Sequence, residues 1–315
     1  MRKSLVRFVG SLSIAFIIIV IGKYVIVAQD LTPITGEWKS ETWSEKHDKE
    51  KQAAPANDGK IHLSFQRSTA NGRNSHGSSF SLEELGLTAA QVQNGRVSFR
   101  LAREAGTVEA EGTFVNGRGS GTFRFTPNRS FVDAMRSRGF DFEKAARKHD
   151  DGLEERLLSA AFVNVTTALA DDLNSANFGK LEVEDLFKAA IFKVDSKFMA
   201  EMKATGFPNL QMEDLVKARI FKIDADYVRQ VHDMGFSNRD FEGLVKFRIF
   251  KVTPEYLSEL KAAGLTNLDS EDVVKCRIFS IDPDFIRKAR AEDPNVTLED
   301  LVRMKIGVGK KRTGN

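Results

Sequence analysis

Five histidines and one cysteine are the side chains with the most obvious capacity for metal or nucleophilic chemistry. A zinc site needs His, Cys or carboxylate ligands at short, fixed spacings, as in His-Glu-x-x-His on one helical face. His47, His62, His76, His149 and His232 are scattered and show no such spacing. Cys276 is alone, so no internal disulfide and no paired-thiol redox motif can form. In the repeat described below its place is taken by Ala189, Ala218, Phe247 and Met304, which predicts a buried apolar role rather than a reactive thiol. No Gly-x-Ser-x-Gly elbow or Walker loop is present. The acids fall at helix starts, where capping accounts for them. No catalytic, metal or cofactor residue is assigned, and a non-enzymatic protein is expected.

Three charged motifs remain. Gly117-Arg118-Gly119-Ser120-Gly121 has the composition of a phosphate loop. Such a loop needs a helix after the glycines to aim N–H groups at the anion. Here Thr122-Phe123-Arg124-Phe125 continues as strand, so hairpin glycines are expected. Arg103-Glu104 reads as an exposed turn between strands. A basic pair recurs as Lys217/Arg219, Lys246/Arg248, Lys275/Arg277 and Arg303/Lys305, with Lys188 and Ala190 in the first unit. It is either a ridge for an acidic partner or anionic lipid, or a structural device. In the second case it neutralises helix C-termini and pairs with Asp226, Glu255 or Asp284 of the next hairpin.

The elements that carry these residues follow from the whole-chain pattern. The 315 residues suit about two domains. The formal charge of +3 rests on Arg2, Lys3, Arg7 and Lys23, and the rest of the chain is near neutral. A nucleic-acid partner is therefore not expected. Residues 1–28 read as an export signal, with a basic head, an apolar run over 9–21 and a small residue at Ala28. An uncleaved anchor over 8–28, with Lys23 reaching the interface, is the alternative. Both place the remainder outside the cytoplasm, and membrane contact is expected only through this segment.

Residues 31–128 have the period of an antiparallel β domain. Ile61, Leu63 and Phe65 alternate over 60–66, and Val97, Phe99 and Leu101 over 96–101. Strands at 107–115 and 121–125 flank Asn116-Gly117, a strong hairpin signal because both residues tolerate positive φ. Trp38 and Trp43 are expected to pack on this sheet. Residues 45–58 and 70–79 read as exposed loop, and 81–91 as a short helix capped by Ser81. Connecting helices are predicted over 129–162, at 130–138, 142–148 and 153–162.

From 163 to 307 a unit recurs every 29 residues, aligned on Val165, Val194, Ile223, Val252 and Ile281. Thr166, Asp195, Asp224, Thr253 and Asp282 are N-cap types, and Pro254 and Pro283 suit the position after the cap. Asn177, Gly206, Gly235 and Gly264 stop the first helix in a left-handed cap, and Phe178, Phe207, Phe236 and Leu265 latch it. A second helix follows Glu182, Gln211, Asp240, Asp269 and Thr297. Its spine is Leu186, Leu215, Leu244, Val273 and Leu301, then Ile191, Ile220, Ile249, Ile278 and Ile306. A spacing of five does not share one helical face, so Phe187, Val216, Val245, Val274 and Val302 fill the stripe and the isoleucines are expected at the turn into the next unit. Each unit is thus a helical hairpin that must bury its face on its neighbours. The last unit, with Asp293-Pro294 at the stop and the basic tail 308–315 after it, reads as a terminal cap. The expected fold class is α+β: a small antiparallel β domain followed by an all-α array of about five such hairpins.

These columns resemble a known family. VTPEYLSELKAAGLTNLDSEDVVKCRIF and IDADYVRQVHDMGFSNRDFEGLVKFRIF are similar to tandem segments that follow the protease domain in bacterial zinc metallopeptidases of the BlaR/MecR antirepressor type, and that also occur in stand-alone exported proteins. LAREAGTVEAEGTFVNGRGSGTFRFTPNRSFVDAMRSRGF resembles the region before those segments. The protease module and its zinc motif are absent from this sequence, so no catalytic residue carries over. The resemblance implies a bacterial extracytoplasmic accessory or sensing module.

The function expected from the sequence is therefore an exported, non-catalytic interaction or envelope accessory module with a protein or cell-envelope partner. A small-molecule sensor using Trp38, Trp43 and the polar loops of the β domain is an alternative, as is a hydrolase with an unrecognised site. Recurring residues have structural tasks, so specificity is expected where units differ: Lys197, Arg229, Ser258 and Arg287 on the first helices. The basic pairs Lys217, Arg219, Lys246, Arg248, Lys275 and Arg277 complete the candidate surface.

Overall fold

The computed structural model describes residues 31–40, 60–69, 72–148, 152–236 and 241–307. The expected signal or anchor, Trp43, the stretch 45–58, His47, His149, Asp240 and the basic tail lie outside the described residues. The chain is α+β and divides into two compact units, Met1–Asp133 with Ala146–Phe162, and Ala134–Ala145 with Val163–Asn315.

The first unit is built on a curled six-stranded antiparallel sheet. Its strands are β1 (Ile34–Ser40), β2 (Lys60–Thr69), β3 (Gly72–Ser81), β4 (Gly95–Arg103), β5 (Gly106–Val115) and β6 (Arg118–Pro127). Their order is β3-β2-β1-β6-β5-β4, two meanders joined where β1 pairs with β6. The alternating apolar residues enter one core: Leu63, Phe65, Val97, Phe99, Leu101, Val108, Phe123 and Phe125 are all buried. Trp38 lies at its centre, fully buried, edge-on to Phe99 at 5.3 Å between ring centroids, and its Nε1 donates to the Glu111 carbonyl at 3.0 Å. The indole is thus spent on the core and is not open to a ligand.

Asn116 and Gly117 have φ of 53° and 75°, the pair of positive values a two-residue β5–β6 turn requires. Gly119 and Gly121 lie in β6, and a Cβ at Gly121 would come within 2.7 Å of the Trp38 Nε1. The glycine run therefore makes a turn and clears space for Trp38.

Two local expectations for this unit change, and one strand goes unread. Residues 72–81 form β3, paired with β2 along its whole length, where a loop was expected. Its inward positions are His76, Ser78 and Phe80, too polar to show the apolar alternation of a half-buried strand. β1 was also illegible, because Gly36 and Ser40 share its inward face with Ile34 and Trp38. A Cβ at Gly36 would fall 2.7 Å from the Phe123 ring, so that position must stay small. The expected 81–91 helix is two short ones, α1 (Leu82–Leu85) and α2 (Ala89–Gln93). Gly86 at φ 65° ends the first, and Thr88 caps the second.

The segment 129–162 holds α3 (Arg129–Ser137), α4 (Phe142–Lys148) and α5 (Leu153–Val163). It carries more of the repeat's punctuation than a connector would. Gly139 stops α3 at φ 92°, with the Phe140 N–H reaching back to the Met135 carbonyl. Residues 158–165 align on 187–194, and Asn164 holds φ 57° where Lys193 holds 58°. α5 is the second helix of a degenerate earlier unit.

The array comprises α6 (Thr167–Ser175), α7 (Val183–Phe192), α8 (Ser196–Ala204), α9 (Met212–Ile220), α10 (Ala225–Asp233), α11 (Phe241–Ile249), α12 (Pro254–Ala262), α13 (Ser270–Ile278), α14 (Pro283–Glu292) and α15 (Leu298–Lys305). First helices start as expected: Thr166, Asp195, Asp224, Thr253 and Asp282 each accept the N–H three residues on. They stop at Asn177, Gly206, Gly235 and Gly264, with φ between 49° and 101°.

Second helices stop differently. Lys193, Lys222, Lys251 and Ser280 take left-handed φ of 52–58°. A non-glycine residue there is disfavoured by about 1–2 kcal/mol. What holds it is the next residue. Val194, Ile223, Val252 and Ile281 are at most 4% exposed, and their N–H groups bond back to Ala189, Ala218, Phe247 and Cys276. Burying such a side chain contributes about 1.5–3 kcal/mol, which exceeds the backbone penalty. The spine Leu186, Leu215, Leu244, Val273 and Leu301 is buried throughout.

Candidate interaction surface

The second helix of each unit carries one exposed stripe. In α9 it reads Glu213, Lys217, Ile220, spaced so that all three share a helical face. The matching triplets are Glu242, Lys246, Ile249 in α11 and Glu271, Lys275, Ile278 in α13. α7 carries Lys188 and Ile191 with Glu184, here partly buried. α15 carries Glu299 and Arg303, with Ile306 just past its end. Successive second helices pack side by side, so the triplets form rows of acid, base and isoleucine.

The acid and base rows are joined between units. Lys188 bonds Glu213, Lys217 bonds Glu242, Lys246 bonds Glu271 at 2.6 Å, and Lys275 bonds Glu299 at 2.7 Å. The Glu213 hydrogen bond raises the Lys188 pKa, and that of Glu242 raises the Lys217 pKa. These partners correct the sequence expectation. The lysines face the first turn of the next second helix, because second helices stack on one another. Asp226 and Asp284 instead pair locally with Arg229 and Arg287.

The arginines serve the hairpin interior. Arg219 lies over Phe198, Arg248 over Tyr227 and Arg277 over Tyr256, each within 3.7 Å of the ring centroid. Arg248 also donates to the Lys222 carbonyl and Arg277 to the Lys251 carbonyl. The first unit has Leu169 in the aromatic column and Ala190 in the arginine column, so both halves of the clamp are missing together.

The isoleucine row is the part whose exposure the sequence did not announce. Ile191, Ile220, Ile249, Ile278 and Ile306 are 52%, 52%, 49%, 52% and 53% exposed, each at or beside the end of its helix, where the spacing of five put them. Five residues beyond the spine leucine is about 140° around the helix, away from the core. That spacing was the available signal.

One copy of the stripe is covered. By the alignment of α5 on α7, its members are Glu155, Ser159 and Phe162. Phe162 stacks on Phe65 with centroids 4.5 Å apart, and its carbonyl accepts from Ser78. Glu155, buried, takes His76 Nε2 at 3.0 Å on one oxygen and Arg67 at 3.0 Å on the other. The His76 hydrogen bond holds its pKa below the usual carboxylate range, against the opposing effect of burial. In this copy the stripe is a docking face for β2 and β3.

Ser159 Oγ lies 3.4 Å from His76 Nδ1, so Ser159, His76 and Glu155 line up as a nucleophile, base and acid would. The serine proton is already used, donated at 3.0 Å to the Glu155 carbonyl one turn back. Ser159 also sits mid-helix, where backbone N–H groups are consumed by the helix and cannot stabilise an oxyanion. The cluster is a helix-docking ion pair. Cys276 is fully buried, and burial pushes its thiol up to about 11. Among the described residues no group of three or more His, Cys, Asp or Glu side chains could hold a metal ion, and no helix is long and apolar enough to cross a membrane.

Of the variable first-helix residues, Arg229 and Ser258 share a groove of about 510 Å³ between α10 and α12. Lys197, which pairs with Glu201, and Arg287 lie outside it.

The fold and surface define an α+β protein with a helical-hairpin array. No family model, curated protein or solved structure matches it.

Proposed function

We propose that this chain is a non-catalytic interaction module of the cell envelope, exported by its N-terminal segment, whose array presents the second-helix stripe to a macromolecular partner. One observation carries the reading. In α5 the stripe's Glu155 and Phe162 are buried against a β-sheet, while in the five later units the equivalents of Phe162, all isoleucine, stand about half exposed. A position that docks in one copy and lies open in five is a repeated docking face. The recurring lysines, arginines and caps are engaged within the array, which fits a scaffold. The sequence resemblance to extracytoplasmic accessory repeats points the same way.

The test replaces Ile220, Ile249 and Ile278 with Glu in the full chain. In gel filtration of detergent-solubilised envelope, the wild type is expected in a species larger than the monomer, and the variant at monomer size. Wild type at monomer size contradicts the reading.

A second reading, a small-molecule sensor, draws on a groove of about 830 Å³ on the sheet, where Arg100, Glu109 and Arg124 stand opposite one another on β4, β5 and β6. A ligand there would raise the melting temperature. No shift across small anionic and zwitterionic envelope metabolites retires it.

A further inference from the structure

We infer that the partner on the isoleucine row is a second copy of this chain. The inference rests on the docking-face reading above and names the occupant of that face.

The first ground is period. The isoleucines recur at the spacing of stacked helices, about 8–10 Å. A surface that is to meet all five must carry the same spacing over the same length. A second copy of the row has it by construction, and a closed pair through one shared face is the commonest form of protein assembly.

The second ground is area. Five half-exposed isoleucines amount to on the order of 500 Å² of apolar surface, near the upper end of what a monomer leaves uncovered. It would form the apolar centre of the ~800 Å² per partner that a standard interface takes. The flanking glutamates and lysines, one-third to two-thirds exposed, would supply the polar rim.

The third ground is charge, and it sets the direction. A two-fold axis across the rows would lay glutamates on glutamates and lysines on lysines. An axis along the isoleucine row sets each isoleucine beside its own counterpart and carries the charged rows to opposite sides. The rows then run parallel, with Ile220 beside Ile220, Ile249 beside Ile249 and Ile278 beside Ile278. The near-neutral chain outside the N-terminal segment sets no long-range repulsion against pairing.

The chain offers a clean probe, because its one native cysteine, Cys276, is fully buried. Ile220→Cys, Ile249→Cys and Ile278→Cys are made singly in the full chain, with Ser258→Cys on a first helix as control. The purified proteins are treated with a short bis-maleimide and examined by sedimentation velocity over a hundredfold range of concentration. All three row cysteines are expected to give covalent dimer, and Ser258→Cys none. Ile220→Glu with Ile249→Glu is expected to sediment as monomer with unchanged helical circular dichroism. A wild type that sediments as monomer at every concentration, with no covalent dimer from the row cysteines, overturns the inference. If the same chain still runs in a larger, isoleucine-dependent species in envelope extract, the interaction-module reading survives and only the identity of the partner falls. Dimer from Ile249→Cys alone would place the axis across the rows and overturn the parallel alignment. Equal crosslinking at Ser258 would mean random collision and also overturns it.

Discussion

The β unit and the helical array handle charge in opposite ways. In the first, one carboxylate is buried and gripped from two sides: Glu155 by His76 and Arg67. In the second, acids and bases lie in open rows, and each lysine reaches a glutamate of the next helix across solvent. A buried pair is sensitive to losing a member, because the partner is left without compensation. An exposed pair is worth at most about 1 kcal/mol. Charge thus fastens α5 to its sheet, whereas in the array it sets register between helices that caps and apolar spines already hold.

That contrast can be broken first at Glu155. Glu155→Ala is expected to destabilise the β unit by about 2–3 kcal/mol, as lost charged hydrogen bonds do, in urea unfolding followed by tryptophan fluorescence. An effect under ~0.5 kcal/mol would mean that Phe162 alone docks the helix. The pH dependence has a fixed sign. A carboxylate with a lowered folded pKa contributes stability above its unfolded value, about 4.3, and loses it as pH falls through the lowered one. The β unit of the wild type should therefore lose stability in that acid window, and Glu155→Gln should flatten the loss.

Gly264 comes next. It holds φ 97°, and a Cβ there would fall 2.7 Å from the Arg290 guanidinium. Gly264→Val is expected to destabilise the array by more than ~1 kcal/mol. Gly235→Val, with φ 94° and open space around it, should cost less. Equal losses would assign the whole effect to backbone strain. The smallest effect belongs to the ladder: Lys246→Ala should change array stability by less than about 1 kcal/mol. A larger loss would make the rows load carriers and erase the contrast with Glu155.

Legibility in the sequence followed the same division. In the array a weak cue is printed several times, so N-caps, glycine stops and spines were read to the residue. The second-helix stop escaped, because Lys193, Lys222 and Lys251 do not look like left-handed residues. Only the buried Val or Ile after each of them accounts for it. In the β unit each strand occurs once. β4, β5 and β6 were legible from their own apolar alternation and Asn116-Gly117, whereas β1 and β3 put glycine, serine and histidine on the inward face. The candidate surface was half legible. The basic pairs and variable first-helix residues could be named, and the isoleucines were placed at the turn into the next unit, but not as an open row. Ring stacking of the arginines and the docking of α5 depend on tertiary neighbours that no local spacing encodes.

The central claim is that the isoleucine row serves association and not folding. Melting temperature against protein concentration separates the two, since binding to the native state raises it by mass action. The melting temperature of the wild-type chain is expected to climb with concentration. That of the Ile220→Glu, Ile249→Glu, Ile278→Glu variant should stay flat and meet the wild-type value at the dilute limit. A variant that melts well below the wild type at every concentration would contradict the account, because the isoleucines would then belong to the fold.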